Sequence, residues 1–321
     1  MNIASQTISG KRGENEDTLL AKKENECFIL AVADGMGGHA GGKVASKLTI
    51  DIARSYFNQF QKNPSFGKIR DSLLNIIEDA HAAIKEKGEK SEDLKGLGTT
   101  LTILLGYNKK YAIANIGDSR AYILNNNSIN QITNDHTYLS QYKKLNPDKK
   151  ISSKLKERYS QVLTKCIDGK GNESDIFPGE DDLYHWEDND VIMLCSDGLI
   201  LDNGGSVEKN IKNIINKSNS MKDACTNLVD YALRNGSEDN ISVAIAAPDR
   251  KIGQNKIEED KSVEYDNKFS DYKPALSFIL TSILILFILV FVICKLMSTL
   301  GENYNRKSSD KPNVTESIDK N

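Results

Sequence analysis

The sequence predicts an α+β fold built on antiparallel sheet, with its helices set apart from its strands. Three observations carry that prediction. Apolar runs at 99–106 and 111–116, and again at 120–124 and 129–132, come as close pairs joined by turns such as GYNKKY (106–111) and NNN (125–127); only antiparallel neighbours can be joined so tightly. Helical spacing of apolar residues is confined to 41–60 and 67–87, then to 207–217 and 221–234. The strand–helix–strand alternation of a doubly wound sheet is missing.

Taken in order, further strands are expected at 17–22, 27–33, 191–195 and 241–247, where apolar residues run continuously or alternate. No internal repeat is visible. The opening MNIASQTISGKRGENED has no apolar stretch, so it does not read as a secretory signal. With 321 residues the chain has room for one large domain or two small ones. Its 42 basic and 45 acidic residues leave a formal net charge of −3. That balance provides no global field for nucleic acid, so a charged ligand must be held locally. The five cysteines, Cys27, Cys166, Cys195, Cys225 and Cys294, show no CxxC or Cys/His spacing and read as buried thiols of a reducing compartment.

The C-terminal quarter is different. Ala275 to Ile293 is uncharged and without a polar stripe, and nineteen residues at 1.5 Å each reach about 28 Å, close to the thickness of a bilayer core. A single transmembrane helix is expected at 275–294. Four domains of sequence result: a folded domain at 1–248, a polar juxtamembrane linker at 249–274 whose reach as a flexible chain is roughly 28 Å, the span, and a polar tail at 295–321. Lys and Arg number four within twenty residues on each side of the span, so the positive-inside rule does not orient it.

The densest motif is VADGMGGHAGGKVAS at 32–46, where an apolar strand delivers Asp34 into five glycines. Gly37 to Lys43 satisfies the G-x-x-x-x-G-K of a phosphate-binding loop, but Val44 stands where a hydroxyl should meet magnesium, and Asp34 would have no role. A strand ending in Asp recurs instead: FILAVA before Asp34, YAIANIG before Asp118, VIMLCS before Asp197, with Asp239 just before ISVAIAA. One Asp-Gly is a turn. Four carboxylates at strand ends can share one rim, and clustered anions need a cation. The donors are all oxygen, which suits magnesium or manganese better than zinc. Two such ions can share and activate a water and aim it at phosphorus, and Gly35 lets a backbone carbonyl turn toward a metal.

Arg12-x-x-Asn-Glu-Asp17, DGMGGHAGG at 34–42, GTT at 98–100, GDSR at 117–120, CSDGL at 195–199 and GSEDNISV at 236–243 together resemble the type 2C family of metal-dependent protein phosphatases, in its bacterial branch. The resemblance covers about residues 1–247. It implies a four-layer α/β/β/α sandwich of two antiparallel sheets flanked by helices, and hydrolysis of phosphoserine and phosphothreonine in proteins. By motif, Asp34 would bridge two Mn2+ or Mg2+ ions, Gly35 would offer its carbonyl, and Asp197 and Asp239 would complete the shell. Glu16 and Asp17 would act through waters, and Asp118 with Asp197 would hold a weaker third ion. Arg12 would clamp phosphate, since a guanidinium matches two of its oxygens. Asn240 would orient Asp239 or cap the following element.

There are departures from the family pattern. Met36 stands where eukaryotic relatives place a His, so the general acid has no assignment; His39 would serve only through water, or cap and pack. His136 reads as structural or near the site, His81 and His185 as structural. Between Tyr138 and Glu180 the match is poor, and LTKCID at 163–168 replaces an LTRALG-like stretch. In the family this region includes a flap beside the cleft, so substrate choice transfers least. A catalytically dead module that only reads phosphoproteins should have lost a metal carboxylate, and none is lost here. The implied partners are phosphorylated proteins and a Ser/Thr kinase, with a monomeric catalytic domain facing the cytoplasm from the cell membrane.

Overall fold

The computed structural model describes residues 1–37, 41–125, 128–179, 182–201 and 206–248. In chain order these form β1 (Asn2–Ile8), β2 (Thr18–Glu24), β3 (Cys27–Ala33), the two-residue β4 (Gly35–Met36), α1 (Gly41–Phe60) and α2 (Gly67–Lys90). There follow β5 (Gly98–Thr99), β6 (Leu101–Tyr107), β7 (Lys110–Ile116), β8 (Arg120–Leu124), β9 (Ile129–Gln131), and two short helices, α3 (Tyr138–Leu145) and α4 (Ser153–Tyr159). The chain continues through β10 (Asp175–Phe177), β11 (Tyr184–His185), β12 (Val191–Cys195), α5 (Val207–Lys217), α6 (Met221–Arg234) and β13 (Ile241–Ala247).

Two antiparallel sheets result, ordered β1-β13-β12-β8-β9 and β10-β7-β6-β3-β2, with β11 also on β7. Hairpin chemistry sets the second: Asn108 and Lys109 at positive φ join β6 to β7, and Asn25 does the same between β2 and β3. In β3 the side chains alternate. Phe28, Leu30 and Val32 meet Ile192, Leu194, Ala244 and Ala246 of the other sheet around Trp186, while Cys27, Ile29, Ala31 and Ala33 face α1 and α2. The first sheet turns Met193, Cys195, Val243 and Ile245 outward onto α5 and α6. Both sheets are covered on both faces, which is why their central strands lack a polar alternation.

The antiparallel fold with segregated helices is as expected. Unexpected is β1, which pairs along its whole length with β13, from Asn2 opposite Ala247 to Ile8 opposite Ile241; its small and polar residues carry little periodic signal. The run at 99–106 divides into β5 and β6, because Thr99 leaves the sheet to bridge Ile167. Helices α3 and α4 were also not foreseen, although Thr137 and Ser152 cap them by accepting hydrogen bonds from the Ser140 and Leu155 amides. Cys27, Cys195 and Cys225 are buried, whereas Cys166 is half-buried. Among the described residues no helix is long and apolar enough to cross a membrane. The linker at 249–274, the span at 275–294, the tail, Cys294 and His39 lie outside the described residues.

Candidate metal centre

The register of the sheets brings the acidic turns to one edge of the sandwich. Thr18 of β2 lies opposite Ala33 of β3, Leu101 opposite Ile116, Arg120 opposite Cys195, and Cys195 opposite Val243. Asp17, Asp34, Asp118, Asp197 and Asp239 each sit one or two residues beyond those pairings or a short turn away. A cavity of about 960 Å³ opens there, lined by Asp34, Gly35, Asp118, Asp197 and Asp239 with Arg12, Glu14, Glu16 and Asn240. Asp17 lies behind that wall, buried.

Each turn is held by hydroxyls or amides from another strand. The Asp34 amide donates to Thr100 Oγ1 at 3.0 Å, and its carbonyl accepts from the Thr100 amide and Thr99 Oγ1, each at 2.8 Å. Thr100 Oγ1 in turn shares a hydrogen bond of 2.9 Å with Ser119 Oγ. The GTT motif is therefore the splint that fixes Asp34 relative to Asp118. A half-buried fork secures the second turn, where Arg120 Nε and Nη2 donate to the two oxygens of Asp135 at 2.9 and 2.6 Å. His136 Nδ1 accepts from the Gly117 amide at 3.1 Å, so this His supports the Asp118 turn from outside the cavity lining.

The third support is Asn240. Its Oδ1 accepts from the Glu16 amide at 2.8 Å, and its Nδ2 donates to the Glu14 and Ser9 carbonyls at 2.8 and 3.0 Å. Its own amide donates to Asp239 Oδ1 at 2.8 Å. Asn240 thus ties the loop that carries Arg12 and Glu16 to the turn that carries Asp239. Glycine is required where these turns touch: a Cβ on Gly198 would stand 1.9 Å from the Asn240 carbonyl oxygen, and one on Gly35 would stand 2.1 Å from that of Gly42. Arg12 reaches the same place, donating from Nη2 to Asp239 Oδ2 at 3.0 Å and from Nε to the Glu238 carbonyl at 3.3 Å.

So many buried acids resist ionisation together. Burial, with the charges of Asp17, Asp197, Asp118 and Asp239, holds Asp34 well above the usual carboxylate range. Burial raises Asp118 to about 8, helped by Asp197 and Asp135, and raises Asp17 to about 6 against hydrogen bonds from Ser242 and Ser196. Asp197 is raised by burial and by Asp239, and a hydrogen bond with Asp34 opposes that. Among the described residues no three side chains form a ready-made metal cage. The chemistry of the donors nevertheless fits a hard cation: they are all oxygen, and Asp17 Oδ1 and Asp197 Oδ1 are buried without any hydrogen-bond partner.

The opposite wall was not legible in the motifs. Gln161, Leu163, Thr164, Cys166, Asp168, Lys170 and Asn172 line the cavity too. Asn172 Nδ2 donates to the Cys166 carbonyl and to Asp168 Oδ1 at 3.0 and 3.2 Å, closing this loop on itself. His81 fastens it to α2 by accepting from the Gly171 amide at 3.3 Å. His185 sits on β11, exposed beside Glu187 and away from the cavity lining.

Comparison with known proteins agrees with this arrangement. The profile of the protein phosphatase 2C family matches residues 9–241. A serine/threonine phosphatase, stp, from Listeria welshimeri is 29% identical over 249 residues, covering 76% of this chain and 95% of its own. The crystal structure of serine/threonine phosphatase Stp1 from Staphylococcus aureus superposes with a TM-score of 0.67 at 29% identity, over 77% of this chain and 95% of that one. The catalytic domain of the phosphatase PstP, crystallised in complex with two manganese ions, does so with a TM-score of 0.64 at 28% identity, over 76% of this chain and 96% of that one.

Proposed function

The chain belongs to the protein phosphatase 2C family, and from that premise we propose that it hydrolyses phosphoserine and phosphothreonine in proteins with two divalent cations, Mn2+ or Mg2+. The observation that carries this reading is the convergence of Asp34, Asp197 and Asp239, from three separate strand ends, on one cavity. Asp34, the Gly35 carbonyl, Asp197 and Asp239 would hold the two ions, with Glu16 and Asp17 acting through waters; Asp118 and Asp197 would take a weaker third. Bound there, the pair supplies an activated water and neutralises the oxygens of the ester.

The protein's own residues do the rest. Burial and neighbouring acids disfavour ionisation of Asp34 and Asp197, so cations would compete there with protons and affinity should rise with pH. Arg12 exchanges its hydrogen bond to Asp239 for two on the phosphate, fixing the ester by its fork. The hydroxyl splint of Thr99, Thr100 and Ser119 keeps the acids in place without reorganisation during reaction. Manganese-dependent hydrolysis of p-nitrophenyl phosphate tests this. Asp34→Ala and Asp239→Ala should each lose more than about 100-fold, with circular dichroism unchanged; a wild-type chain that binds phosphoproteins without turning over would leave only the binding module.

We further propose that residues 275–294 anchor the enzyme as a single-pass membrane protein, with the domain in the cytoplasm, where phosphoproteins and magnesium are found, and with a Ser/Thr kinase as its functional opponent. The nineteen uncharged residues are the support for this. Protease shaving of intact cells should spare the domain and remove the 295–321 tail; the reverse pattern overturns the orientation.

A further inference from the structure

Residues 138–160 carry seven Lys and Arg against two acids, a concentration of positive charge in one short segment. Several surface lysines elsewhere are paired: Lys22 with Glu24 at 3.0 Å, Lys47 with Asp51 at 2.8 Å, Lys109 with Asp188 at 2.8 Å, Lys170 with Asp168 at 2.6 Å. Among the described residues, Lys143, Lys144, Lys149, Lys150 and Lys154 have neither an ion pair nor a side-chain hydrogen bond, and all five are exposed. Three of the five large apolar side chains exposed among the described residues lie in this segment or just after it, Leu145 at 80%, Tyr138 at 44% and Val162 at 45%.

The root of this segment is the rim of the cavity. The Tyr138 amide donates to the Val162 carbonyl at 2.8 Å, Thr137 bridges Leu163, and Gln161, Leu163 and Thr164 line the cavity itself. Helices α3 and α4 are therefore rooted at the rim of the cavity that would receive the phosphorylated residue. Of the two basic residues in the cavity lining, Arg12 is assigned to the phosphate and Lys170 is paired with Asp168 at 2.6 Å, so acidic residues on either side of a phosphorylated one must find their partners outside it. Unpaired lysines on long stems beside that rim would receive them, and the exposed Leu145 and Val162 would take an apolar neighbour.

We propose that α3, α4 and the turn between them form a docking surface for acidic stretches flanking the phosphorylated residue of a protein substrate. This rests on the reading of the cavity as a phosphatase site. The root at the rim favours a peptide over the other anionic partner such a surface could meet, a lipid headgroup layer.

The experiment uses the full chain with two phosphothreonine peptides of equal length, one flanked by Asp and Glu and one by Ser and Gly, and with p-nitrophenyl phosphate. Wild type should prefer the acidic peptide about tenfold in kcat/KM at low salt and lose most of that preference in about 0.5 M salt. The triple variant Lys149→Glu, Lys150→Glu, Lys154→Glu should abolish or invert the preference through KM, with turnover of p-nitrophenyl phosphate unchanged as the proof of fold. Equal handling of the two peptides by wild type overturns the proposal, as does a preference that survives the triple variant. So does a variant that loses only co-sedimentation with phosphatidylserine vesicles, which would make this a lipid-facing surface. If wild type hydrolyses nothing in manganese, the phosphatase reading fails by itself; fluorescence anisotropy of the same two peptides, wild type against triple variant, then decides the docking surface separately.

Discussion

The two walls of the cavity are built on opposite plans. On one side, the acids at 34, 118, 197 and 239 hang from the ends of largely buried strands, and hydroxyls, amides and the Asn240 side chain hold the turns at Asp34, Asp118 and Asp239. On the other, α3 and α4 are tied at their root by the Tyr138 amide, the 137–163 bridge and one ring contact, while Lys143, Lys144, Lys149, Lys150 and Lys154 meet no partner. The first wall stores electrostatic cost and the second exposes unused charge. A site arranged this way separates its tasks: chemistry resides where geometry is over-determined, and choice of substrate where a side chain can change without disturbing the core.

The largest effect that would break this contrast is the pH dependence of the metal-free protein. Asp17 at about 6 and Asp118 at about 8 lie above the ordinary 3.8, so the folded chain keeps protons that the unfolded chain releases. A carboxyl with a raised folded value gives its full stabilisation below the unfolded value and loses it as pH climbs through the folded one. Stability in chelator should therefore fall between about pH 4 and 8, by about 1.4 kcal/mol per pH unit for each retained proton. Thermal unfolding from pH 5 to 8.5, with EDTA and with Mn2+, measures it: the midpoint should drop in EDTA and hold nearly level in Mn2+. A flat profile in EDTA would mean that the acids are not electrostatically frustrated, and the plan of the first wall would be misread.

What the sequence disclosed follows the same division. Strand ends with Asp are local patterns, so Asp34, Asp118, Asp197 and Asp239 could be named from the chain, and the register then had only one edge on which to gather them. Asn240 was legible as a residue near Asp239; that its side chain holds the Glu14–Glu16 backbone was not, because that hydrogen bond spans 224 positions. The pairing of Arg120 with Asp135 and the reach of Thr100 to Ser119 were hidden for the same reason: each joins two elements, and neither partner alone has a distinctive pattern. The strand β1 was missed because Ala4, Ser5, Gln6 and Thr7 owe their place to the β13 edge rather than to their own hydrophobicity. Opposite, the lysines of 143–154 are plain in the sequence, but only the structure shows them unpaired and carried by a segment rooted at the cavity rim.

The smallest effect belongs to the root of the second wall and sharpens the contrast from that side. Tyr138 and Tyr159 meet with ring centroids 4.7 Å apart at 36°, joining the start of α3 to the end of α4. With Tyr138 44% exposed, the contact should contribute toward the lower end of the 0.5–1.5 kcal/mol typical of aromatic pairs, about 0.5 kcal/mol. Tyr159→Ala should therefore lower the unfolding midpoint by only about 1–2 °C in a domain of this size, and should leave hydrolysis of p-nitrophenyl phosphate within about twofold, since no acid of the opposite wall leans on it. Its measurable consequence should be confined to peptides, whose KM rises as α3 and α4 lose their common anchor. A comparable loss with the small ester would show that the helices brace the acidic turns after all, and that the two walls are one mechanical unit.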